Sequence, residues 1–312
     1  MPDRIIEIAS PARLGVRDNQ LVIARQGFPE AVAPVADLAA LVLAHPAIVL
    51  SHAVPARLAE AGALTIFCDH AFRPVAMALP LASNSVQTER MAAQAELSGE
   101  RRGRLWQQIV RAKITAQSAL LEDLHGGDGG LAALAPRVQP GDRGNAEARA
   151  AQRYWRRLFA EPAFRRHAAM WPQNRHLNYG YMALRAATAR AICAAGLHPS
   201  LGLRHHNRYD PFSLAADLME PFRTIVDRQV AARLVTHPPD EEFGRDLRAW
   251  LLAPLAGRYV HGGEDRSLFD WLARAAQSLA AAVAGRRRLP DLPVPLAPCP
   301  DSAPPLPTAQ CG

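Results

Sequence analysis

Two kinds of hydrophobic pattern divide this chain of 312 residues, and one gives way to the other near residue 85. Before that point, short apolar runs alternate with turn-forming residues, and the Asp18-Asn19-Gln20 segment between two such runs predicts a β-hairpin. After it, apolar residues recur every three or four positions, which is the period of an amphipathic helix. One such stripe comprises Leu105, Ile109, Ala112 and Ala116.

The two patterns together predict an α+β protein. We expect a small N-terminal β-rich domain over residues 1–84 and a larger all-α domain over residues 85–284. Proline crowds the sequence from residue 285 onward and core-forming residues are few, which predicts a disordered tail over 285–312. Within the larger domain, helices are expected near residues 145–160, 178–196, 213–235, 240–255 and 266–284.

Arginine supplies almost all of the positive charge. The chain has 36 Lys and Arg residues against 29 Asp and Glu, a formal net charge of +7, and Lys113 is its only lysine. A positive surplus favours partners that carry negative charge, nucleic acid first among them, and guanidinium groups match phosphate oxygens in geometry. An arginine-rich genome composition would give the same bias, so charge alone leaves the function open.

The four cysteines, at positions 68, 193, 299 and 311, show neither a CxxC pair nor the spacing of a zinc site. Asp3 and Glu7 interrupt the stretch where a signal peptide needs an apolar core, and no later stretch runs for about 18 apolar residues. We therefore expect a cytoplasmic protein without a disulfide framework or a membrane partner.

Glu147 shares a predicted helix face with Ala151, Tyr154 and Leu158, so a carboxylate continues an otherwise apolar stripe. Spacing alone favours a simple interpretation, an acidic residue near a helix start capped by Asn145, over a ligand or catalytic role. The opposite side of this helix carries three arginines, for which we expect solvent contact first and contact with a DNA backbone second: Arg149, Arg153 and Arg156.

Three histidines lie in one loop that glycines and prolines bound, at His198, His205 and His206. Neutral imidazole is a common metal ligand. Adjacent side chains of an extended chain point in different directions, so at most one of His205 and His206 faces a given site. The loop alone is weak evidence for a metal site.

Asp217 and Glu220 lie three residues apart in a predicted helix with Ser213 as its cap, so both fall on one face. Two such charges need a cation between them or salt bridges to arginines such as Arg223, and salt bridges are the commoner role for an isolated pair. Pro221 predicts an interruption of the helix here, because it cannot donate a hydrogen bond to the carbonyl of Asp217.

These segments together offer carboxylates and one imidazole. Such an oxygen-rich set suits Mg²⁺ or Mn²⁺ better than zinc, which favours Cys and His. A metal held in this way can polarise a phosphodiester and activate water or a hydroxyl group.

Four segments carry a resemblance to a known family: LTIFCDHAFRPVA, NAEARAAQRYWRRLF, LNYGYMALRAATARAI and GLHPSLGLRHHNRYDPFSLAADLMEPFR. In this order they resemble the CRISPR-associated endonuclease/integrase, the larger of the two adaptation proteins, in its type II form, over residues 4–279. The resemblance implies that the β domain mediates homodimerisation and that the helical domain is catalytic.

The resemblance also implies a catalytic ligand set for Mg²⁺ or Mn²⁺. The metal ligands fall on Glu147, His205 and Glu220, with Asp217 as a further catalytic residue whose direct contact with the metal stays open. His206 is one position out of register and is the weaker candidate.

Other positions of the resemblance are support or departures. Asn178 and Tyr179 correspond to residues of a helix that packs near the site. Ala148 stands where the family usually has glycine after the glutamate, and Thr224 stands where proline usually follows the arginine of the EPFR segment. Neither departure removes a ligand, so the implied activity stands.

The implied activity is insertion of short foreign DNA, the spacers, into a CRISPR array during prokaryotic antiviral immunity. A spacer 3′ hydroxyl attacks a repeat phosphodiester, and water in its place gives nuclease activity. The implied partners are double-stranded DNA, a second copy of the chain and a small ferredoxin-like adaptation protein in a heterohexamer, with the type II RNA-guided nuclease as a further candidate. A catalytically inactive DNA-binding scaffold is the main alternative, and a metal-dependent hydrolase of small phosphoesters is disfavoured by the arginine surplus.

Overall fold

The computed structural model describes residues 4–70, 74–78, 84–166, 170–204, 210–238 and 240–299. The N-terminal part is β-rich and the remainder is mainly helical, which confirms the predicted α+β class. The β-rich part contains β1 (Arg4–Ile8), β2 (Ala12–Arg17), β3 (Gln20–Ala24), β4 (Ala31–Pro34), β5 (Leu38–Leu43), β6 (Ile48–Leu50), α1 (Ala53–Glu60), β7 (Leu64–Cys68) and β8 (Pro74–Ala78).

Two four-stranded sheets form this part, with the strand orders β1-β5-β7-β8 and β4-β3-β2-β6. The predicted hairpin is confirmed: β2 pairs with β3 from Arg17 opposite Gln20, and Asp18 and Asn19 between them have φ angles of 51° and 57°. Asp and Asn tolerate this left-handed region better than most residues, which suits them to a two-residue turn.

Strand β5 fixes the β-rich part against the helices. All six of its residues are buried, because Leu41 packs among side chains of the second sheet and Val42 packs on the other face, in a cluster with Ala186. A strand covered on both faces has a continuous apolar sequence rather than an alternating one. The LAALVL sequence of β5 meets that requirement.

The helical part contains α2 (Gln87–Ala95), α3 (Gly99–His125), α4 (Ala146–Leu158), α5 (Gln173–Ala194), α6 (Ser213–Leu218), α7 (Arg223–Thr236), α8 (Arg245–Leu252) and α9 (Leu268–Val283). Helix α5 is central, with buried residues on all its sides. Gly180 allows α7 to approach it closely, since a Cβ atom there would lie 2.5 Å from Cγ1 of Val226. In the described ranges, no helix is both long and apolar enough to cross a lipid bilayer.

The predicted all-α domain also contains a small antiparallel sheet. Its strands are β9 (Arg258–His261), β10 (Glu264–Ser267) and β11 (Ala297–Pro298), in the order β10-β9-β11. The last strand belongs to the predicted disordered tail, so that prediction needs correction over residues 285–299; residues 300–312 lie outside the described part.

The described tail segment is fixed by a few contacts. The backbone N–H of Asp291 donates to Oγ of Ser278 at 2.7 Å, Leu292 is buried, and the N–H of Cys299 donates to the carbonyl of Arg258 at 3.0 Å. Proline has no N–H to satisfy, so a proline-rich segment needs few partners to lie extended on a surface. Composition alone could not show that α9 and β9 provide such a surface.

Candidate active site

Three elements bring charged side chains together around Lys113, which projects from the middle of α3. Its Nζ lies 2.7 Å from Oε1 of Glu147, at the start of α4, and 2.7 Å from Oε2 of Glu220, in the turn between α6 and α7. The structure thus places two of the predicted metal ligands around one cation. Glu220 is almost fully buried and Glu147 is partly exposed.

Asp142 fixes the start of α4 and with it the backbone of Glu147. Its Oδ1 accepts a hydrogen bond from Ala146 N at 2.8 Å and its Oδ2 accepts one from Glu147 N at 3.1 Å. The predicted cap, Asn145, is wrong, because Asn145 has a left-handed backbone with φ of 51° and its side chain makes no capping bond. The carboxylate of Asp142 instead satisfies the free N–H groups of the first turn.

The buried face of α4 is rotated slightly from the predicted one. It consists of Ala146, Ala150, Tyr154 and Leu158. Glu147 lies at the edge of this stripe, where its carboxylate reaches Lys113 without being sealed in the core. The three arginines on the opposite side are exposed, as expected: Arg149, Arg153 and Arg156.

Pro221 interrupts the helix beside Glu220, as predicted. Helix α6 ends at Leu218, a single 3-10 turn spans Glu220–Phe222, and α7 begins at Arg223. In this turn Oε1 of Glu220 accepts a bond from Nη2 of Arg223 at 2.9 Å, so each Glu220 oxygen faces a different cation.

The predicted Ser213 cap is wrong. Ser213 is the first residue of α6, and its hydroxyl donates to the carbonyl of Asp210 at 3.1 Å. The side chain of Asp210 accepts a bond from Phe212 N at 2.9 Å, which organises the chain just before the helix.

Asp217 and Glu220 face different groups. Asp217 is fully buried, and its Oδ2 accepts bonds from Leu203 N at 2.6 Å and Arg204 N at 3.1 Å. These amides immediately precede His205. The predicted ligand His205 and its neighbour His206 lie outside the described residues.

The third loop histidine, His198, is described and is exposed. Its Nδ1 lies 2.7 Å from Oγ of Ser200, in the same loop. Of the predicted support residues, Asn178 accepts a bond from Nη2 of Arg166 at 2.7 Å. The hydroxyl of Tyr179 donates to Glu7 at 2.9 Å, so this residue connects α5 to β1 rather than to the carboxylates.

A buried layer that sequence reasoning missed lies next to the cluster. The hydroxyl of Tyr154 donates to Oδ2 of Asp227 at 2.6 Å, and the hydroxyl of Tyr181 donates to Oδ1. Burial raises the pKa of Asp227 to about 6, although both tyrosines and nearby arginines favour its ionised form. Burial also raises the pKa of each tyrosine well above 10, which keeps both as neutral donors.

Charge is balanced within the cluster. Burial by itself would lower the pKa of Lys113, but Glu220 and then Glu147 outweigh it, and the pKa of Lys113 lies above its ordinary value. Arg223 is raised in pKa in the same way, against burial, chiefly by Glu220. The four side chains therefore carry two positive and two negative charges. The only sequence signal for Lys113 was that it is the sole lysine, directly after Ala112 of the apolar stripe.

A cavity of about 330 Å³ opens beside Lys113. Its cationic lining comprises Lys113, Arg156, Arg165, Arg166 and Arg223, and aromatic rings of Trp155, Phe164 and Tyr181 line it as well. The guanidinium carbon of Arg223 lies 4.7 Å from the centre of the Tyr181 ring, and that of Arg166 lies 5.3 Å from it. Ring stacking holds guanidinium groups in place while leaving donors for a ligand.

The carboxylates fit a divalent cation in chemistry and in placement. Oxygen ligands suit Mg²⁺ and Mn²⁺, and the pair already shares one positive charge. Within the described part of the chain, no three His, Cys, Asp or Glu side chains come close enough to hold a metal together. The predicted third ligand, His205, belongs to the segment outside it.

The fold and the site together define a protein with a β-rich part and a helical part, in which paired carboxylates surround a cation next to an arginine-lined cavity. Such a site suits ligands that carry phosphate. The chain belongs to the Cas1 family, since residues 7–254 match the family described as CRISPR associated protein Cas1. The CRISPR-associated endonuclease Cas1 of Neisseria meningitidis serogroup C (strain 8013) is 37% identical over 232 residues, which cover 73% of this chain and 74% of that protein.

Solved structures share the fold at low sequence identity. A casposase bound to integration product has a TM-score of 0.73 at 17% identity, over 92% of this chain and 91% of its own. One chain of a Cas6-RT-Cas1–Cas2 complex has a TM-score of 0.68 at 17% identity, over 92% of this chain and 35% of its own. At these identities the likeness concerns the fold.

Proposed function

We propose that this chain is a metal-dependent DNA endonuclease and integrase that inserts short foreign DNA into a CRISPR array. The observation that carries the proposal is the meeting of Glu147 and Glu220, from separate elements, around one cation beside the arginine-lined cavity. The family membership and the relative from Neisseria meningitidis support it.

In the proposed mechanism Glu147, Glu220 and His205 hold one Mg²⁺ or Mn²⁺. When bound, the cation supplies positive charge to a phosphodiester as the attack proceeds. Asp142 and the turn at Pro221 fix the backbones of the two glutamates before any ligand binds. Preorganised carboxylates lose little conformational entropy on binding the metal.

The attacking group comes from bound DNA or from water. The side chains that line the cavity include no thiol and no serine or threonine hydroxyl, so this surface offers no covalent nucleophile of its own. Arg165, Arg166 and Arg223 provide guanidinium groups for phosphate oxygens. A strand held in this way has its 3′ hydroxyl at high effective concentration, an advantage that water lacks.

Asp217 acts in the proposal as a positioning residue for His205. It accepts two backbone N–H groups directly before that histidine, and it is fully buried while doing so. A carboxylate that ties down the approach to a ligand orients the ligand without contacting the metal.

The proposed assembly uses the β-rich part for homodimerisation and includes the small ferredoxin-like adaptation protein. Val32 on β4 and Val49 on β6 are 49% and 56% exposed, at the two edges of the second sheet. Exposed apolar side chains at such edges support a protein contact there. A chain of the same fold occurs in a Cas6-RT-Cas1–Cas2 complex.

A strand-transfer assay with repeat DNA, a short duplex ending in 3′ hydroxyl, Mn²⁺ or Mg²⁺, and the small partner tests the function. The wild type joins the two DNAs. Glu147→Gln and Glu220→Gln abolish joining, because each removes a charge that holds the cation, whereas Glu60→Gln on the exposed end of α1 serves as the matched control and retains it.

The nucleophile is tested with a duplex that ends in 3′ dideoxynucleotide, which binds equally well and is not joined. Joining of blocked ends would refute the mechanism. A protein that binds both duplexes and joins neither, with either metal, is the inactive scaffold. Little affinity for either duplex, with turnover of a small phosphoester, identifies a hydrolase.

A further inference from the structure

The ammonium of Lys113 occupies the space between the two carboxylates. Nζ lies 2.7 Å from an oxygen of each, on the only oxygen of Glu147 and the only oxygen of Glu220 that the two ion pairs to Lys113 involve. Mg²⁺ binds oxygen at about 2.1 Å. A metal that bridged the same two oxygens would therefore overlap with Nζ.

We propose that Lys113 is an exchangeable counter-cation: its ammonium holds Glu147 and Glu220 together before the metal arrives, and the divalent cation binds by displacing it. The inference rests on the proposed function, because it takes these two glutamates as metal ligands. It adds that the affinity for metal is set by competition with a residue of the chain.

The geometry gives Lys113 a place to move. Lys113 also lines the arginine-lined cavity, and its flexible four-carbon stem can carry the ammonium from the carboxylates into it. There the displaced charge joins Arg166 and Arg223, in the space that the proposed function gives to DNA phosphate. Metal and phosphate would then take over both of the contacts that balance the charge of the metal-free site.

Arg223 differs from Lys113 in this respect. Its guanidinium pairs with Oε1 of Glu220, the oxygen that does not face Lys113, and it stacks on Tyr181. It can therefore stay in place when the metal binds. A planar guanidinium at position 113 would span a carboxylate with two parallel bonds and would be harder to displace than a single ammonium.

Direct Mn²⁺ titration of the full chain, followed by the electron paramagnetic resonance signal of free Mn²⁺, tests the exchange. Lys113→Met keeps the stem and removes the charge, so it binds Mn²⁺ about tenfold more tightly than the wild type, and Lys113→Arg binds it more weakly. The matched control, Arg104→Met, removes an exposed cation of the same helix and leaves the affinity unchanged.

The melting temperature provides a second measurement. Without metal, Lys113→Met melts below the wild type, because two carboxylates face each other with one cation fewer. Saturating Mn²⁺ restores it to at least the wild-type value. Arg104→Met shows neither effect.

The single lysine permits a test on the unaltered protein, which covers the case that Lys113→Met fails to fold. Lysine labelled with ¹³C at Cε gives one resonance, since no other lysine is present. We expect this resonance to shift on addition of Mg²⁺ and to saturate with metal binding, and we expect no shift in Glu220→Gln.

The outcomes separate the two proposals. If the wild type binds Mn²⁺ but Lys113→Met binds it equally or more weakly, or if the lysine resonance stays fixed, Lys113 is a permanent strut and the exchange is overturned. If neither the wild type nor any variant binds Mn²⁺, the proposed metal site itself fails.

Discussion

Asp227 gives a prediction whose sign and size both follow from its surroundings. The carboxyl is fully buried and accepts hydrogen bonds from Tyr154 and Tyr181. Burial raises its pKa from 3.8 to about 6 in the folded protein. Below about pH 4 the group is protonated in both the folded and the unfolded chain, so it contributes no difference.

Between pH 4 and pH 6 the unfolded chain releases this proton while the folded protein keeps it. Unfolding therefore becomes easier as the pH rises. A pKa difference of about two units, at 1.36 kcal/mol per unit, corresponds to about 3 kcal/mol of stability lost by pH 6 and constant above it. The burial of both oxygens makes this an intrinsic property of the site, not of its solvent.

Asp227→Asn removes the titration and keeps the shape. The free energy of unfolding of the variant minus that of the wild type is expected to rise by about 3 kcal/mol between pH 4 and pH 7. Urea unfolding followed by tryptophan fluorescence at pH 4, 5, 6 and 7 measures it, and comparison at equal pH cancels the other titrating groups. Asp123→Asn, at an exposed carboxylate that pairs with Arg228, is the control and should give a nearly flat difference.

A flat difference for Asp227→Asn would refute the reasoning, because it would mean that Asp227 ionises as readily in the folded protein as in the unfolded chain. A difference that falls with pH would show that the tyrosine hydroxyls and arginines outweigh burial.

Three further predictions concern the positioning residue, the cavity and the tail. Asp217→Asn should cost roughly 1–2 kcal/mol of unfolding free energy in urea and reduce strand transfer only in part, and complete loss would indicate direct metal contact. Arg165→Ala combined with Arg166→Ala should reduce the slope of log DNA affinity against log salt by roughly 2, since each phosphate contact contributes about 0.9; an unchanged slope would place the DNA backbone elsewhere. Ending the chain after residue 284 uncovers the surface that Leu292 shields and should cost at least roughly 2 kcal/mol, seen as a lower melting temperature, while an unchanged melting temperature would mean that this packing contributes nothing.

Local patterns predicted what depends on neighbours in sequence. The hairpin at Asp18 and Asn19 follows from turn chemistry, and the break at Pro221 follows from the missing N–H. The stripe that includes Leu105 and Ile109 is buried as its period requires. Glu147 and Glu220 were identified as ligands only through the resemblance, because each has a simple local explanation.

The remainder depends on contacts between distant segments. Lys113 meets partners from two other elements, and nothing in the α3 pattern indicates a buried ammonium. Helix α5 is buried on all sides, so periodicity cannot tell that Tyr181 faces the site while Tyr179 faces β1. Asp217 and Glu220 share a face in a regular helix, but the helix ends between them, and their side chains reach different partners.

The two glutamates and the tyrosine layer form one framework. Tyr154 lies roughly two helical turns after Glu147 on α4, and Asp227 lies roughly two turns after Glu220 on α7, about 10 Å along each helix. The buried bond between Tyr154 and Asp227 therefore fastens the same two segments that carry the carboxylates, and Tyr181 fastens both to α5. A change at Asp227 is consequently transmitted to the distance between Glu147 and Glu220, so a site that must hold one cation between them depends on a layer that never contacts it.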